Sequence, residues 1–210
     1  MPLLFNTWRL LPQRIALHEP SATAVIADVH LGYSAARQRQ GDAVPLRAVA
    51  EEMQPLLDAA RAVNLRGLLV AGDLFERGFD PELYQQFSAV LKQAHIDFLG
   101  LIPGNHDRGI DTTALPTFAG GYDLAGWQIV HGDQPVEARR AVMGHWHPAI
   151  KVRGRKTPCF LLKNEHLVLP AFSLDAAGVD IRKEARWRGW EYFAIETGTS
   201  IRNGVGCLLS

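Results

Sequence analysis

The chain has 210 residues, its 22 Lys and Arg balance its 22 Asp and Glu, and 47% of its residues are hydrophobic. This composition excludes a highly charged, disordered chain, and the length suits a single domain with one buried core, which we expect to span residues 1–210. The cysteines Cys159 and Cys207 form neither a disulfide framework nor a Cys-x-x-C pair, so we expect a reducing, cytoplasmic setting.

Neither a leader nor a membrane span is predicted. Arg9 and Arg14 interrupt the apolar residues near the start, and no stretch reaches the roughly 18 apolar residues that a membrane helix needs. The final Cys207-Leu-Leu-Ser210 fits a prenylation pattern, but only Arg202 supplies positive charge just upstream. A final apolar strand packed on the core fits better, and we expect a soluble protein without a membrane partner.

Strands alternate with helices in the first half of the chain. Apolar residues recur at helical spacing after Pro45, which suits a first turn, and Pro55 should kink or split that helix. Asp80 followed by Pro81 is a typical helix start. The predicted elements are a strand at 23–27, a helix at 45–64, a strand at 67–71, a helix from 80 to about 95, and a strand at 96–102.

This alternation implies a parallel sheet covered on both faces, which would bind its ligand at the carboxyl ends of the strands. Beyond residue 110 the helical pattern fades and shorter apolar runs predict a second sheet. The runs are 127–130, 141–143, 159–162, 167–169 and 191–195.

Five polar motifs lie where predicted strands end. They are Asp28-Val-His30, Gly72-Asp73, Gly104-Asn-His-Asp107, His131-Gly132 and Gly144-His-Trp-His147. Carboxylate, imidazole and amide oxygen are donors that suit Mn, Fe or Zn, and a carboxylate such as Asp73 can bridge two ions. Taken singly, each residue could be a turn cap, a left-handed bend or a core histidine. Their joint occurrence in order favours a two-metal phosphoesterase.

These motifs resemble the calcineurin-like metallophosphoesterase superfamily, whose ligand pattern residues 28–147 match completely. The resemblance implies an α/β fold, a four-layer αββα sandwich with two mixed sheets. It also implies that Asp28, His30, Asp73 and His147 hold one ion and that Asp73, Asn105, His131 and His145 hold the other. Glu76 stands where an aspartate is commoner in this family, a departure that we expect to touch no ligand.

A narrower likeness is to the ligase-associated DNA damage response endonucleases. It extends through 28–33, the arginines Arg37 and Arg39, 158–160 and 167–172. It implies a role in DNA repair, and it allows a homodimer and DNA-repair proteins as partners.

The motif after the third strand also carries candidate catalytic residues. By resemblance, His106 serves the leaving oxygen as an acid or charge stabiliser and is oriented by Asp107. Arg108 could contact a substrate phosphate or only face solvent, and Trp146 could stack a base or only pack.

Charge is distributed unevenly, with 11 basic and 4 acidic residues between positions 139 and 190. A basic region suits a nucleic-acid backbone and equally an ordinary solvated surface. We predict a phosphodiesterase that acts on nucleic acid or nucleotides and uses two divalent ions, with Mn favoured and Fe, Zn, Ni or Co also acceptable to these donors. The alternatives are a small-molecule phosphodiesterase or phosphomonoesterase, and a non-catalytic protein-binding scaffold.

Overall fold

The computed structural model describes residues 3–110, 112–152, 154–196 and 200–204. Two mixed sheets pack face to face, with helices on the outer side of the first sheet. The predicted α/β fold class is therefore confirmed. The predicted final strand at 207–210 lies outside the described residues.

The first sheet has six strands in chain order. They are β1 (Leu3–Phe5), β2 (Trp8–Leu11), β3 (Ile15–His18), β4 (Thr23–Ile26), β5 (Gly67–Ala71) and β6 (Asp97–Ile102). β4, β5 and β6 run parallel, whereas β1 to β4 form an antiparallel meander. The sheet is therefore mixed, because a meander that sequence analysis did not predict extends the parallel strands.

In the described part of the chain, four helices accompany this sheet: α1 (Tyr33–Arg39), α2 (Val49–Glu52), α3 (Gln54–Ala62) and α4 (Pro81–Gln93). Pro55 splits the predicted helix as expected, since α3 begins with it in the first turn. The expected start at residue 45 is wrong. Ala48 is extended, with ψ 150°, and its amide donates to the side chain of Glu51 at 3.0 Å, so the helix begins only at Val49. Asp80 caps α4 as predicted, accepting hydrogen bonds from two backbone amides of the first turn.

The second sheet is built from shorter strands. They are β7 (Tyr122–Leu124), β8 (Trp127–Val130), β9 (Ala141–Met143), β10 (Pro148–Val152), β11 (Arg155–Lys163), β12 (His166–Val168), β13 (Val179–Asp180), β14 (Glu191–Glu196) and β15 (Ser200–Gly204). The five predicted runs coincide with strands, except that Leu169 lies one residue beyond β12, while β7, β10, β13 and β15 were not predicted. β8, β9 and β12 run parallel, and the long β11 pairs with β10, β12 and β14.

Alternating residues of β5 pack on the two sides of the first sheet, against the helices and against the second sheet. Leu68 and Val70 face the helices, whereas Leu69 and Ala71 belong to the core between the two sheets. The outer face of the second sheet packs against two short 3-10 helices, Ile181–Lys183 and Ala185–Trp187. In the described residues these turns occupy the place of the expected fourth helical layer. No helix among the described residues is both long and apolar enough to cross a membrane.

Candidate metal centre

The carboxyl ends of β4, β5, β6, β8 and β9 meet at one rim of the sandwich, where the five motifs lie. Loop backbone continues the pairing there: the amide of Asp28 donates to Gly72 at 3.0 Å, and that of Gly144 donates to His131 at 2.9 Å. Strand-end residues from both sheets are thereby brought to one place. All seven predicted metal ligands lie in this connected cluster, described below as two halves.

The first half contains Asp28, His30 and His147, whose donor atoms lie within 4.8 Å of one another. Asp28 is completely buried, and its Oδ1 is 3.4 Å from Nε2 of His147. The backbone amide of His145 donates to both oxygens of Asp28, at 3.1 and 2.9 Å, and fixes the carboxylate. Nε2 of His30 is buried without a hydrogen-bonding partner in the described residues. A buried, unpaired ring nitrogen beside a carboxylate fits a cation.

The second half centres on His131, which is buried. Its Nδ1 lies 3.2 Å from the carbonyl oxygen of Ala71 and donates to it, which leaves Nε2 with a free lone pair. That Nε2 is 3.2 Å from Oδ1 of Asn105, 3.1 Å from Nδ1 of His145 and 3.5 Å from Oδ2 of Asp73. Carbonyl, carboxylate and imidazole acceptors that converge in this way need a proton or a cation between them, so this half also fits a metal ion.

Strained backbone marks the ligand positions. A left-handed φ is uncommon for residues other than glycine, and it concentrates at functional sites where the surrounding structure enforces it. Five of the seven predicted ligands adopt it. These are Asp28 (φ 56°), His30 (φ 54°), Asp73 (φ 52°), His145 (φ 69°) and His147 (φ 43°).

Two motif glycines are required by close approach. A Cβ on Gly72 would overlap the ring of His131, and the φ of this glycine is 90°. A Cβ on Gly104 would overlap the carboxylate of Asp73. The glycine before each of these motifs therefore lets ligands from neighbouring loops approach one another.

His106 lies beside the first half, with its ring 4.9 Å from that of His30 between centroids. Its backbone amide donates to Oδ1 of Asp73 at 2.8 Å, and its Nδ1 lies 2.9 Å from the carbonyl oxygen of Glu76. The ring is therefore oriented through Nδ1, and Nε2 is left for a substrate.

The expected orientation of His106 by Asp107 is wrong. The two carboxylate oxygens of Asp107 accept hydrogen bonds from the backbone amides of Phe75 and Gly104, at 3.0 and 2.9 Å. Asp107 is buried and ties the loop after β5 to the loop after β6. Burial, with the charge of Asp73 adding to it, raises the pKa of this carboxyl despite those two hydrogen bonds.

Sequence analysis also missed the role of Glu76, which was expected to touch no ligand. Its Oε2 lies 2.9 Å from Nδ1 of His30, although outside good hydrogen-bond geometry, and 3.9 Å from Nδ1 of His106. Burial opposes its ionisation, but His30, followed by His106 and Arg77, outweighs burial and lowers the pKa of the carboxyl. The only available signal was its position three residues after Asp73.

The pKa values of two histidines are shifted in opposite directions. Burial, and then the charge of His131, lowers the pKa of His145, which favours the neutral imidazole that a ligand needs. Burial also opposes the charged form of His147, but the hydrogen bond and charge of Asp28 outweigh it and raise the pKa of His147. The carboxylate of Asp28 therefore favours positive charge at this position, which a bound cation would also supply.

Arg108 and Trp146 lie next to the centre. Arg108 is exposed and lines a cavity of about 380 Å³ together with Arg77, Asn105 and His106. Trp146 packs edge-on against His145, and the guanidinium of Arg186 covers its ring at 4.2 Å. An occupied ring face favours packing over base stacking for Trp146.

Comparisons with known proteins agree with this geometry. A family model described as calcineurin-like phosphoesterase matches residues 22–160. Among solved structures, nuclease MPE of Pseudomonas putida is similar with a TM-score of 0.74 and 20% sequence identity, over 93% of this chain and 96% of that one. No match was found among curated proteins. The structural likeness extends over both sheets, well beyond the matched family region.

Proposed function

Because the chain belongs to the calcineurin-like phosphoesterase family, we propose that it hydrolyses phosphodiester bonds of nucleic acid or nucleotides with two bound metal ions. Membership makes it a metal-dependent phosphoesterase. The observation that carries the finer proposal is the convergence of carboxylate, amide and imidazole atoms from both sheets at one rim. Both ring nitrogens of His30 are buried there without a hydrogen-bonding partner in the described residues. We propose that residues 1–210 form one domain.

The proposed ligand sets follow the two halves of the cluster. Asp28, His30, Asp73 and His147 would hold one ion, and Asp73, Asn105, His131 and His145 would hold the other. Two such ions activate water at neutral pH and offset the charge that develops on the phosphoryl group. We propose Mn for these mixed oxygen and nitrogen donors, to which Fe, Zn, Ni and Co are also suited.

His106 is the proposed general acid or charge stabiliser for the leaving oxygen. The carbonyl of Glu76 holds its Nδ1, so Nε2 can deliver a proton or a hydrogen bond. Asp107 supports it only indirectly, by fixing the loop through Phe75 and Gly104. Arg108 is the proposed contact for a substrate phosphate, since its exposed side chain shares the cavity of His106.

Nucleic acid is the proposed substrate class for two reasons. The segment 139–190 carries 11 basic and 4 acidic residues, and the similar Pseudomonas putida protein is a nuclease. A role in DNA repair, a homodimer and DNA-repair protein partners are further proposals that follow from the narrower sequence likeness. A cytoplasmic location is proposed because Cys159 is a buried free thiol.

The test is a panel of substrates assayed in parallel with Mn-loaded and metal-stripped protein. Single-stranded DNA, duplex DNA, RNA, cyclic nucleotides, bis-p-nitrophenyl phosphate and p-nitrophenyl phosphate separate the substrate classes. We expect Mn-dependent hydrolysis of the diester and of at least one polynucleotide. Preference for the monoester, or hydrolysis of cyclic nucleotides alone, would favour the small-molecule alternative. No hydrolysis by protein shown to carry metal would favour the scaffold alternative.

A further inference from the structure

Two adjoining cavities lead away from the metal centre, past β10 and β11 toward α3 and the turn between β2 and β3. The first, of about 390 Å³, is lined by His147, and the second, of about 600 Å³, reaches Arg155 and Pro55. They share Arg14, Lys156, Pro158 and Leu174, and together form one groove. The groove shares no lining residue with the cavity of His106 and Arg108. A substrate extending beyond the reacting phosphate therefore has a path on the His147 side.

In the described residues the basic side chains of this groove form no ion pair with a carboxylate, although the charge of Asp175 acts on Arg14. Lys156 donates to the carbonyl oxygen of Gly178 at 2.9 Å, which leaves its charge unpaired. Arg14 donates to the carbonyl oxygens of Ala171 and Ser173. Arg155 is exposed and has no ion pair in the described part of the chain.

The acids of the groove, by contrast, are already paired. Asp175 binds Arg47 at 2.7 Å, and Asp58 binds Arg61 at 2.9 Å. The lining as a whole is therefore electropositive and suits an anionic ligand.

Apolar side chains line the same groove as these cations. Leu174 lines both cavities and keeps 46% of its surface exposed, which makes it one of the few large hydrophobic residues exposed in the described structure. Pro158 lines both cavities as well, and Pro12 and Pro55 line the second. A groove that offers both cations and apolar side chains suits a ligand that carries phosphates and flat bases.

We infer that this groove binds a single polynucleotide strand on one side of the scissile phosphate. Lys156 and Arg155 contact its phosphates, and Leu174 contacts its bases or sugars. Cavities of this size match small-molecule pockets and admit one strand more readily than a duplex. The inference rests on the proposed function, because it names how the substrate of that same centre is held.

The first experiment compares the length dependence of hydrolysis in three variants, Lys156→Gln, Arg155→Gln and Leu174→Ala. In the wild type we expect kcat/KM for single-stranded DNA to rise as the strand lengthens to about six nucleotides. Lys156→Gln should lower kcat/KM for such a strand about tenfold more than it lowers kcat/KM for bis-p-nitrophenyl phosphate. Arg155→Gln tests the same charge effect. The side chain of Arg155 makes no hydrogen bond in the described structure, so its replacement disturbs none.

Lys92→Gln is the matched control. Lys92 is exposed near the end of α4, which runs back from the rim, and its loss changes the net charge by the same amount. We expect it to leave both substrates unaffected, so that a general charge effect is separated from one in the groove.

A second readout avoids turnover altogether. Fluorescence anisotropy of a labelled strand of about ten nucleotides, with metal-stripped protein, should show weaker binding in Lys156→Gln and Leu174→Ala than in Lys92→Gln. Equal losses on the strand and on bis-p-nitrophenyl phosphate, or unchanged anisotropy, would overturn the inference, as would tighter binding of blunt duplex than of single strands. If the wild type binds strands through these residues but hydrolyses no diester, the proposed function is contradicted and the inference about the groove is supported.

Discussion

Carboxylates are buried both at the rim and in the helical layer behind the first sheet, and the two regions accommodate them differently. At the rim, Asp28, Asp73 and Asp107 each accept hydrogen bonds from loop amides. In the helical layer, Oε2 of Glu52 is buried without a partner in the described residues. Backbone donors offset the cost of burying charge at the rim, whereas the helical layer leaves part of that cost uncompensated. Changes at the rim should therefore affect activity first, and changes at Glu52 stability first.

The largest effect is expected from Asp73→Asn. The amide oxygen can still accept the hydrogen bond from the amide of His106, but one negative oxygen between the two halves is lost. We expect hydrolysis of bis-p-nitrophenyl phosphate to fall about a thousandfold and bound metal to fall with it. Kinetics and elemental analysis of the same preparation measure both. Asp97→Asn, an exposed acid at the start of β6 and far from the rim, should change neither.

His106→Asn should separate turnover from metal binding. Its ring lies beside the ligands, but its Nδ1 is held by a carbonyl and its Nε2 is left for substrate. We expect kcat to fall about a hundredfold while metal content stays at the wild-type level. Metal loss in proportion to the loss of activity would instead place His106 among the ligands.

Glu76→Gln should have a smaller effect. The substitution keeps the backbone carbonyl that holds His106 but removes the negative charge 2.9 Å from Nδ1 of His30. Residues that orient a metal ligand typically contribute about tenfold or more to metal affinity, and we expect a loss of about tenfold. Competition with a chelator measures it. Glu82→Gln, at an exposed acid in the first turn of α4, is the control and should leave metal affinity unchanged.

The parts of the fold and of the candidate site that the sequence predicts are those indicated by neighbouring residues in the chain. Asp28, Asp73 and Asn105 were predictable because each lies two or three residues beyond the end of a parallel strand, and such ends meet at one edge. β1 to β3 were not, because they form a meander joined by tight turns, in which Asn6 and Arg14 adopt a left-handed φ. They therefore lack the alternation with helices that indicated β4 to β6.

The contacts of Glu76 and Asp107 could not be predicted for a different reason. They join loops or helices that are distant in the chain, as when Asp107 reaches the amide of Phe75. Motif spacing indicates which residue types are present, but the path of each loop decides which side chain reaches which partner. The expected orientation of His106 by its sequence neighbour Asp107 was wrong because the loop turns that carboxylate inward.

The smallest effect is expected at Glu52, where a substitution tests the contrast between the helical layer and the rim most directly. Burial first, and then the charge of Asp175, raises its pKa from 4.5 to about 7, and Arg47 offsets this only in part. Between these two pH values the unfolded chain has released this proton while the folded protein retains it. Raising the pH through this window therefore lowers the contribution of Glu52 to stability, and the loss is complete above about pH 7.

Glu52→Gln removes this titration, so the metal-free variant should be more stable than the wild type at pH 8, by about 1 kcal/mol after allowance for the solvent-exposed part of the side chain. At pH 4.5 and below the stabilities of the two proteins should differ little, because Glu52 is then protonated, and therefore uncharged, in the folded protein. Urea unfolding across this range measures the difference. Glu137→Gln, at an exposed acid, should show no such pH-dependent gain. A Glu52→Gln gain that is the same at every pH would mean that packing, and not the buried charge, limits stability in the helical layer.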